Sequence, residues 1–144
     1  MFRRALVPLD GTEFSEAALP HADWLAHKGV KLTLVRVVPT TDQVPAARQY
    51  LEQKAEPLRG HGDSVATAVI ESPDPGLALA EFAEQNGIDL IVMATHSRSG
   101  LMRMLEAGTA DKIMNATTIP ILLVRPLHEV ERPRLRVFRS GAPS

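Results

Sequence analysis

Along the chain, short apolar runs alternate with longer segments whose apolar residues recur at helical spacing. Residues 5–9 (ALVPL) are the first run, and Pro8, Asp10 and Gly11 end it in a loop, as expected for a buried strand. From Glu13 to about His27, Phe14, Ala18, Ala22 and Leu25 make an apolar stripe. Thr12 stands at the cap position, Glu13 and Glu16 favour the positive helix start, and Pro20 is expected to bend the helix. Gly29 closes it, and residues 32–38 (LTLVRVV) read as a central strand with Arg36 its one polar interruption.

A thinner helical pattern follows over residues 42–58, carried by Val44, Ala47, Leu51 and Leu58, before the loop Gly60-His61-Gly62-Asp63. Residues 65–70 predict a third strand. Asp74 and Pro75 then suit the cap and first position of a helix with Leu77, Ala80, Phe82 and Ala83 inward, stopped by Asn86-Gly87. Residues 90–94 (LIVMA) predict a fourth strand buried on both faces. A polar loop from Thr95 to Gly100 leads to a helix through about Asn115, and residues 119–124 predict a fifth strand, with Pro120 at its start.

This alternation predicts an α/β fold, a single doubly wound sheet of five parallel strands with helices on both faces. Ligands of such sheets sit beyond the carboxyl ends of the strands, near the point where strand order reverses. Two loops leave those ends, residues 8–13 and residues 94–109.

At 144 residues, with 44% hydrophobic and 23% charged residues, the chain suits one globular core. A net charge of −1 offers no overall drive toward nucleic acid or anionic membrane. The absence of cysteine excludes disulfides, thiolate metal sites and cysteine nucleophiles, and suits a reducing cytoplasm. Pro8 and Asp10 interrupt the first apolar run, so no secretory h-region is expected, and no stretch approaches the roughly 20 apolar residues of a spanning helix.

The opening RALVPLDGTEFSEAALPHA resembles the first strand and helix of the universal stress protein family. The stretch DPGLALAEFAEQNGIDLIVMATHSRSGLMRMLEAGTADKIMNATTIPILLVRP is similar to that family's third helix through fifth strand, so the resemblance covers roughly residues 3–126. It implies a Rossmann-like domain of the adenine nucleotide alpha hydrolase type over residues 1–126, with residues 127–144 as a C-terminal arm or flexible tail. It also implies a stress-response role in the cytoplasm through a homodimer formed by the fifth strand and through a further protein partner.

By the family's pattern, Asp10 and Val37 border the adenine and ribose and Pro8 shapes the turn. In nucleotide-binding members the loop after the fourth strand reads G-x-x-G-x9-G-[ST], whose glycines let backbone approach an anion at a helix start. Here Ala94, Ser97 and Ala107 occupy the glycine positions and Gly108 the hydroxyl position. A shift of one brings Gly108-Thr109 into register but makes the spacer one residue too long. The departure implies weak or absent nucleotide binding, with His96, Arg98, Ser97 and their neighbours still offering donors. The alternative implied by the same resemblance is a switch protein binding ATP or AMP, with Mg on the phosphates.

Other chemistry finds less support. His21 and His27 fall on different helical faces, and no G-x-S-x-G elbow, dinucleotide G-x-G-x-x-G or Walker-type loop occurs. No enzyme class is therefore indicated. Asp10 can equally serve as a turn residue, and His96 as a locally bonded loop histidine. The tail, with Arg132, Arg134, Arg136 and Arg139 around Leu135, Val137 and Phe138, is open to three readings: an extra strand or dimer arm, disorder, or nucleic-acid contact.

Overall fold

The computed structural model describes residues 1–61, 64–95, 109–126 and 133–141. Strand β1 (Arg4–Pro8) leads through a 3-10 turn (Ser15–Ala18) into α1 (Leu19–His27) and β2 (Lys31–Val38). Helix α2 (Val44–Ala55), flanked by 3-10 turns, precedes β3 (Val65–Glu71), α3 (Pro75–Gln85) and β4 (Leu90–Ala94). Residues 109–116 are helical, termed α4, and β5 (Ile121–Val124) follows. The five strands form one parallel sheet in the order β3-β2-β1-β4-β5.

The period-2 pattern of the strands divides the core into two layers. Ala5, Val7, Leu32, Leu34, Leu90 and Val92 point to the face covered by α1 and α2, where Ala22, Leu25 and Leu51 meet them. Leu6, Val35, Ile91 and Met93 point to the opposite face, against Leu79 and Ala83 of α3 and Ile113 of α4. Leu6, Leu34 and Leu51 are fully buried, and truncation of such a residue to alanine costs about 2–5 kcal/mol.

Three sequence expectations are corrected. Residues 13–27 are not one bent helix: Pro20 lies in the first turn of α1, where its missing N–H breaks no intrahelical bond. The Thr12 hydroxyl still accepts the Ser15 N–H at 3.2 Å, within the turn that precedes α1. Leu77 faces outward, 47% exposed, because the inward stripe of α3 runs through Gly76, Leu79, Ala80 and Ala83. Residue 77 is turned by about 100° from Gly76. Strand β5 begins at Ile121 rather than Ile119, and the Pro120 carbonyl accepts the Ile91 N–H at 3.0 Å before regular pairing starts.

Asp74 caps α3 as its sequence position suggests: its Oδ1 accepts the Leu77 N–H at 3.2 Å. Its Oδ2 takes a hydrogen bond from Lys112 Nζ at 3.2 Å, which ties the start of α3 to α4. Both helices thereby stand over the carboxyl ends of β1 and β4.

Candidate functional site

Strand order reverses at β1, which has β2 on one side and β4 on the other. Hydrogen bonding alternates along β1: the Leu9 N–H reaches the Val35 carbonyl of β2 at 2.8 Å, whereas the Arg4 carbonyl accepts from Asp89, just before β4, at 2.9 Å. The same alternation turns the Pro8 nitrogen toward β4, where it has no hydrogen to donate. Pairing of β1 with β4 accordingly spans Ala5–Leu90 and Leu6–Ile91, while pairing with β2 continues to Pro8–Val35. Beyond Leu6 the two strands part, and a crevice opens between them.

That crevice is a cavity of about 270 Å³. Pro8, Leu9 and Asp10 line it from β1, Val35 and Val37 from β2, and Met93, Ala94 and Thr95 from β4. Pro75 and Leu79 of α3 and Thr109 and Ala110 of α4 close the far side, with Phe14 and Ser15 at the turn before α1. Most of the described lining residues are apolar, and Asp10 is the one carboxylate among them.

Asp10 is held by its own loop. Its Oδ1 accepts the Thr12 hydroxyl at 2.5 Å and the Thr12 N–H at 3.0 Å, and its own N–H donates to Ser15 Oγ at 3.2 Å. The Ser15 hydroxyl donates in turn to the Thr12 carbonyl at 2.9 Å. Desolvation by its neighbours pushes the Asp10 carboxyl up, but the hydrogen bonds from the Thr12 side chain and backbone, with Ser15, outweigh it. The net effect holds the group below its ordinary value, so it is ionised at neutral pH. A fixed anion beside apolar walls can accept from an amine or hydroxyl of a bound ring or sugar.

Of the residues singled out in the sequence, Pro8, Asp10, Val37, Ala94 and Thr109 come together around this one cavity. His96, Ser97, Arg98, Ala107 and Gly108 lie outside the described residues. Ala94 is not in the left-handed region, since no described non-glycine residue has positive φ. Sequence reasoning missed Phe14, Val35, Pro75, Leu79, Met93 and Ala110. A usable signal existed for Pro75 and Leu79, because a helix that follows β3 starts at the carboxyl end of the sheet.

On the opposite face of the sheet Arg36, a charged residue inside β2, stacks on Tyr50 with its guanidinium carbon 5.3 Å from the ring centroid. The Tyr50 hydroxyl donates to Glu16 Oε2 at 2.7 Å, and Lys54 Nζ pairs with Glu16 Oε1 at 3.1 Å. Burial, reinforced by the Glu16 carboxylate, pushes the Tyr50 hydroxyl well above its ordinary range. The phenol stays neutral and remains a donor.

Among the described residues, no helix is long and apolar enough to cross a membrane. The family model described as the universal stress protein family matches residues 1–125. A universal stress protein of Mycolicibacterium smegmatis is 30% identical over an alignment of 134 residues that covers 84% of this chain and 45% of that protein. The chain thus spans less than half the length of that relative.

Two solved structures share the fold. The hypothetical protein MJ0577 superposes with a TM-score of 0.76 at 21% identity, over 90% of this chain and 99% of that one. A universal stress protein in complex with cAMP superposes with 0.70 at 19% identity, over 86% and 97%. With the family match spanning both strands of the crevice and both helices that close it, the chain belongs to the universal stress protein family.

Proposed function

We propose that this protein acts in the stress response through association with a second copy and with partner proteins, and that its crevice takes an adenine nucleotide weakly. The asymmetry of the cavity carries this reading. On the β1–β2 side an ionised, prearranged Asp10 shares the cavity wall with the apolar Val35 and Val37, which suits a purine and its ribose. On the β4 side the methyl of Ala94 occupies a position where nucleotide-binding relatives keep glycine. Because Ala94 has no positive φ, its cost is space rather than backbone strain.

The cavity of about 270 Å³ lies just below the range of about 300–1,000 Å³ usual for ligand pockets, so a nucleoside monophosphate fits this reading better than a larger ligand. The cAMP complex of a relative with the same fold supports an adenine ligand. In the bound state His96, Ser97, Arg98 and the stretch Ala107-Gly108-Thr109 would meet the phosphates, and a Mg ion accompanying ATP would ride on those phosphates. The cysteine-free composition suits work in the cytoplasm.

Among the described residues β5 stands at the edge of the sheet, which supports the homodimer. This strand pairs with β4 on one side, and Leu122 and Leu123 are each 41% exposed. An apolar parallel edge of this kind invites pairing with a two-fold mate. Light scattering with circular dichroism tests it: Leu122→Lys with Val124→Lys should lower the dimer fraction, and a wild-type monomer at all concentrations would refute it.

The nucleotide reading is tested by identifying any nucleotide that co-purifies and by calorimetry with AMP and Mg-ATP. The expected Kd is weaker than about 1 μM, and Ala94→Gly should tighten it. Submicromolar binding by the unmodified protein would instead favour the nucleotide-switch reading, which the prearranged Asp10 supports.

A further inference from the structure

Away from the crevice, two surfaces of this chain are complementary. Residues 133–141 form neither helix nor strand, and every one of them is exposed. Leu135, Val137 and Phe138 are 77%, 65% and 81% exposed, so they are largely uncovered by the described residues. Arg134, Arg136 and Arg139 give the segment three positive charges, with no acidic residue between Pro133 and Gly141. None of the three has a carboxylate partner among the described residues, and Arg136 stacks on Phe138 at 5.0 Å. The segment is an irregular, exposed arm of interleaved cationic and apolar side chains.

The second surface is a trough along the outer side of α3. At 100° per residue, Leu77, Glu81 and Glu84 share one stripe of that helix. Two cavities of about 260 and 230 Å³ lie along the stripe and share Leu77, Glu81 and Gln85. The trough reaches Ile70 and Glu71 at the end of β3 and Ala116 at the end of α4. Glu71 accepts the Thr41 hydroxyl at 2.6 Å and Glu84 the Thr117 hydroxyl, but Glu71, Glu81 and Glu84 have no cationic partner among the described residues. An exposed leucine thus shares the trough with three carboxylates that have no cationic partner among the described residues.

We propose that the C-terminal arm of a second copy of this chain docks in this trough. Its arginines face Glu71, Glu81 and Glu84, while Leu135, Val137 and Phe138 cover Leu77. Three positive charges meet three negative ones, and apolar side chains on both surfaces lose their exposure together. Exposed ion pairs are individually weak, so the charges set register and partner choice, and burial of the apolar side chains supplies most of the affinity. Arm and trough are different surfaces, so a single contact is heterologous. A reciprocal exchange between two chains closes it. The proposal does not depend on the nucleotide reading or on the β5 dimer.

The absence of cysteine allows a direct test on the 144-residue chain. Chains carrying Val137→Cys and chains carrying Gln85→Cys are mixed under mild oxidation, with Val137→Cys plus Lys28→Cys, at the exposed position just past the end of α1, as the control pair. Disulfide-linked heterodimer is expected to form at least about tenfold faster in the arm–trough pair than in the control. In about 1 M salt, where the Debye length is about 3 Å, the advantage should shrink.

Reversing the arm by Arg134→Glu, Arg136→Glu and Arg139→Glu should reduce the rate to that of the control. Adding Glu71→Arg, Glu81→Arg and Glu84→Arg to the Gln85→Cys partner should restore it. Equal rates in the two pairs, or no restoration by the double reversal, would overturn the proposal. Rapid cross-linking within a single Val137→Cys/Gln85→Cys chain at high dilution would also overturn it, because the arm would then dock on its own body.

Discussion

The guanidinium of Arg36 lies over the backbone of Gly11, so close that a β-carbon at residue 11 would stand 2.8 Å from its Nη1. Gly11 also holds a φ of +90°, a conformation that side chains rarely adopt. A residue of β2 thereby braces the loop that carries Asp10, and it does so from the face of the sheet opposite Val37. Tyr50 supports the guanidinium from below, and Glu16 fixes the Tyr50 hydroxyl.

Gly11→Ala should destabilise the fold by about 1 kcal/mol or more in urea unfolding, chiefly through the positive φ. The contact itself adds less, because the guanidinium is the far end of a flexible side chain and can move. In a double-mutant cycle with Arg36→Ala, the Gly11→Ala penalty should fall by only a few tenths of a kcal/mol. A penalty that vanishes with Arg36 would assign the cost to the contact instead.

At Gly76 the balance runs the other way. A β-carbon there would lie 2.6 Å from Lys112 Cβ and 3.1 Å from the Thr109 carbonyl, and neither is a flexible end. Alanine is favoured over glycine inside a helix by about 1 kcal/mol, but overpacking costs about 1–3 kcal/mol, so Gly76→Ala should be net destabilising. Since Thr109 and Ala110 line the crevice, the same change should alter its ligand affinity, measured by calorimetry with AMP alongside urea unfolding.

Restoring an N–H at residue 8 should partly close the crevice. With Pro8→Val, the new amide can pair with β4, which hydrogen exchange would register as a protected amide at position 8. AMP affinity should fall in the same variant. An unprotected amide would show that β1 and β4 part for another reason.

The Asp10 carboxyl has a clear pH signature. Its folded-state pKa lies below the ordinary value of 3.8, so its contribution to stability is present above that value and is lost as pH falls through the folded pKa. The stability difference between wild type and Asp10→Asn should be constant near neutral pH and should shrink as the pH falls below 3.8. A difference that grew on acidification would mean a raised pKa and would contradict the Thr12 hydrogen bonds.

Much of the fold was legible in local chemistry. The apolar runs at residues 32–38 and 90–94, the Asp74-Pro75 start and the Asn86-Gly87 stop each specify one element, because strand burial, capping and chain reversal depend on neighbours within a few residues. Leu77 shows the limit of this. Its helix was evident, but the side it presents depends on where the sheet lies, and a pattern offset by about 100° reads almost as well. Pro20 was similarly visible as a helix perturbation, while its place in the first turn depended on where α1 begins.

The sequence by itself determined the alternation of strands and helices, the parallel sheet it requires and the family, because these follow from local periodicity and from an ordered series of motifs. It also pointed to Pro8, Asp10, Val37, Ala94 and Thr109 as members of one site. Only the tertiary structure decided that Pro8 turns its hydrogen-free nitrogen toward β4, that Leu79 and Met93 complete the crevice, and that Arg36 supports its loop from the other face. These relationships join residues far apart in the chain. Which of them meet is set by strand order and by which side of each strand faces each helix layer, and no local stretch of sequence encodes either.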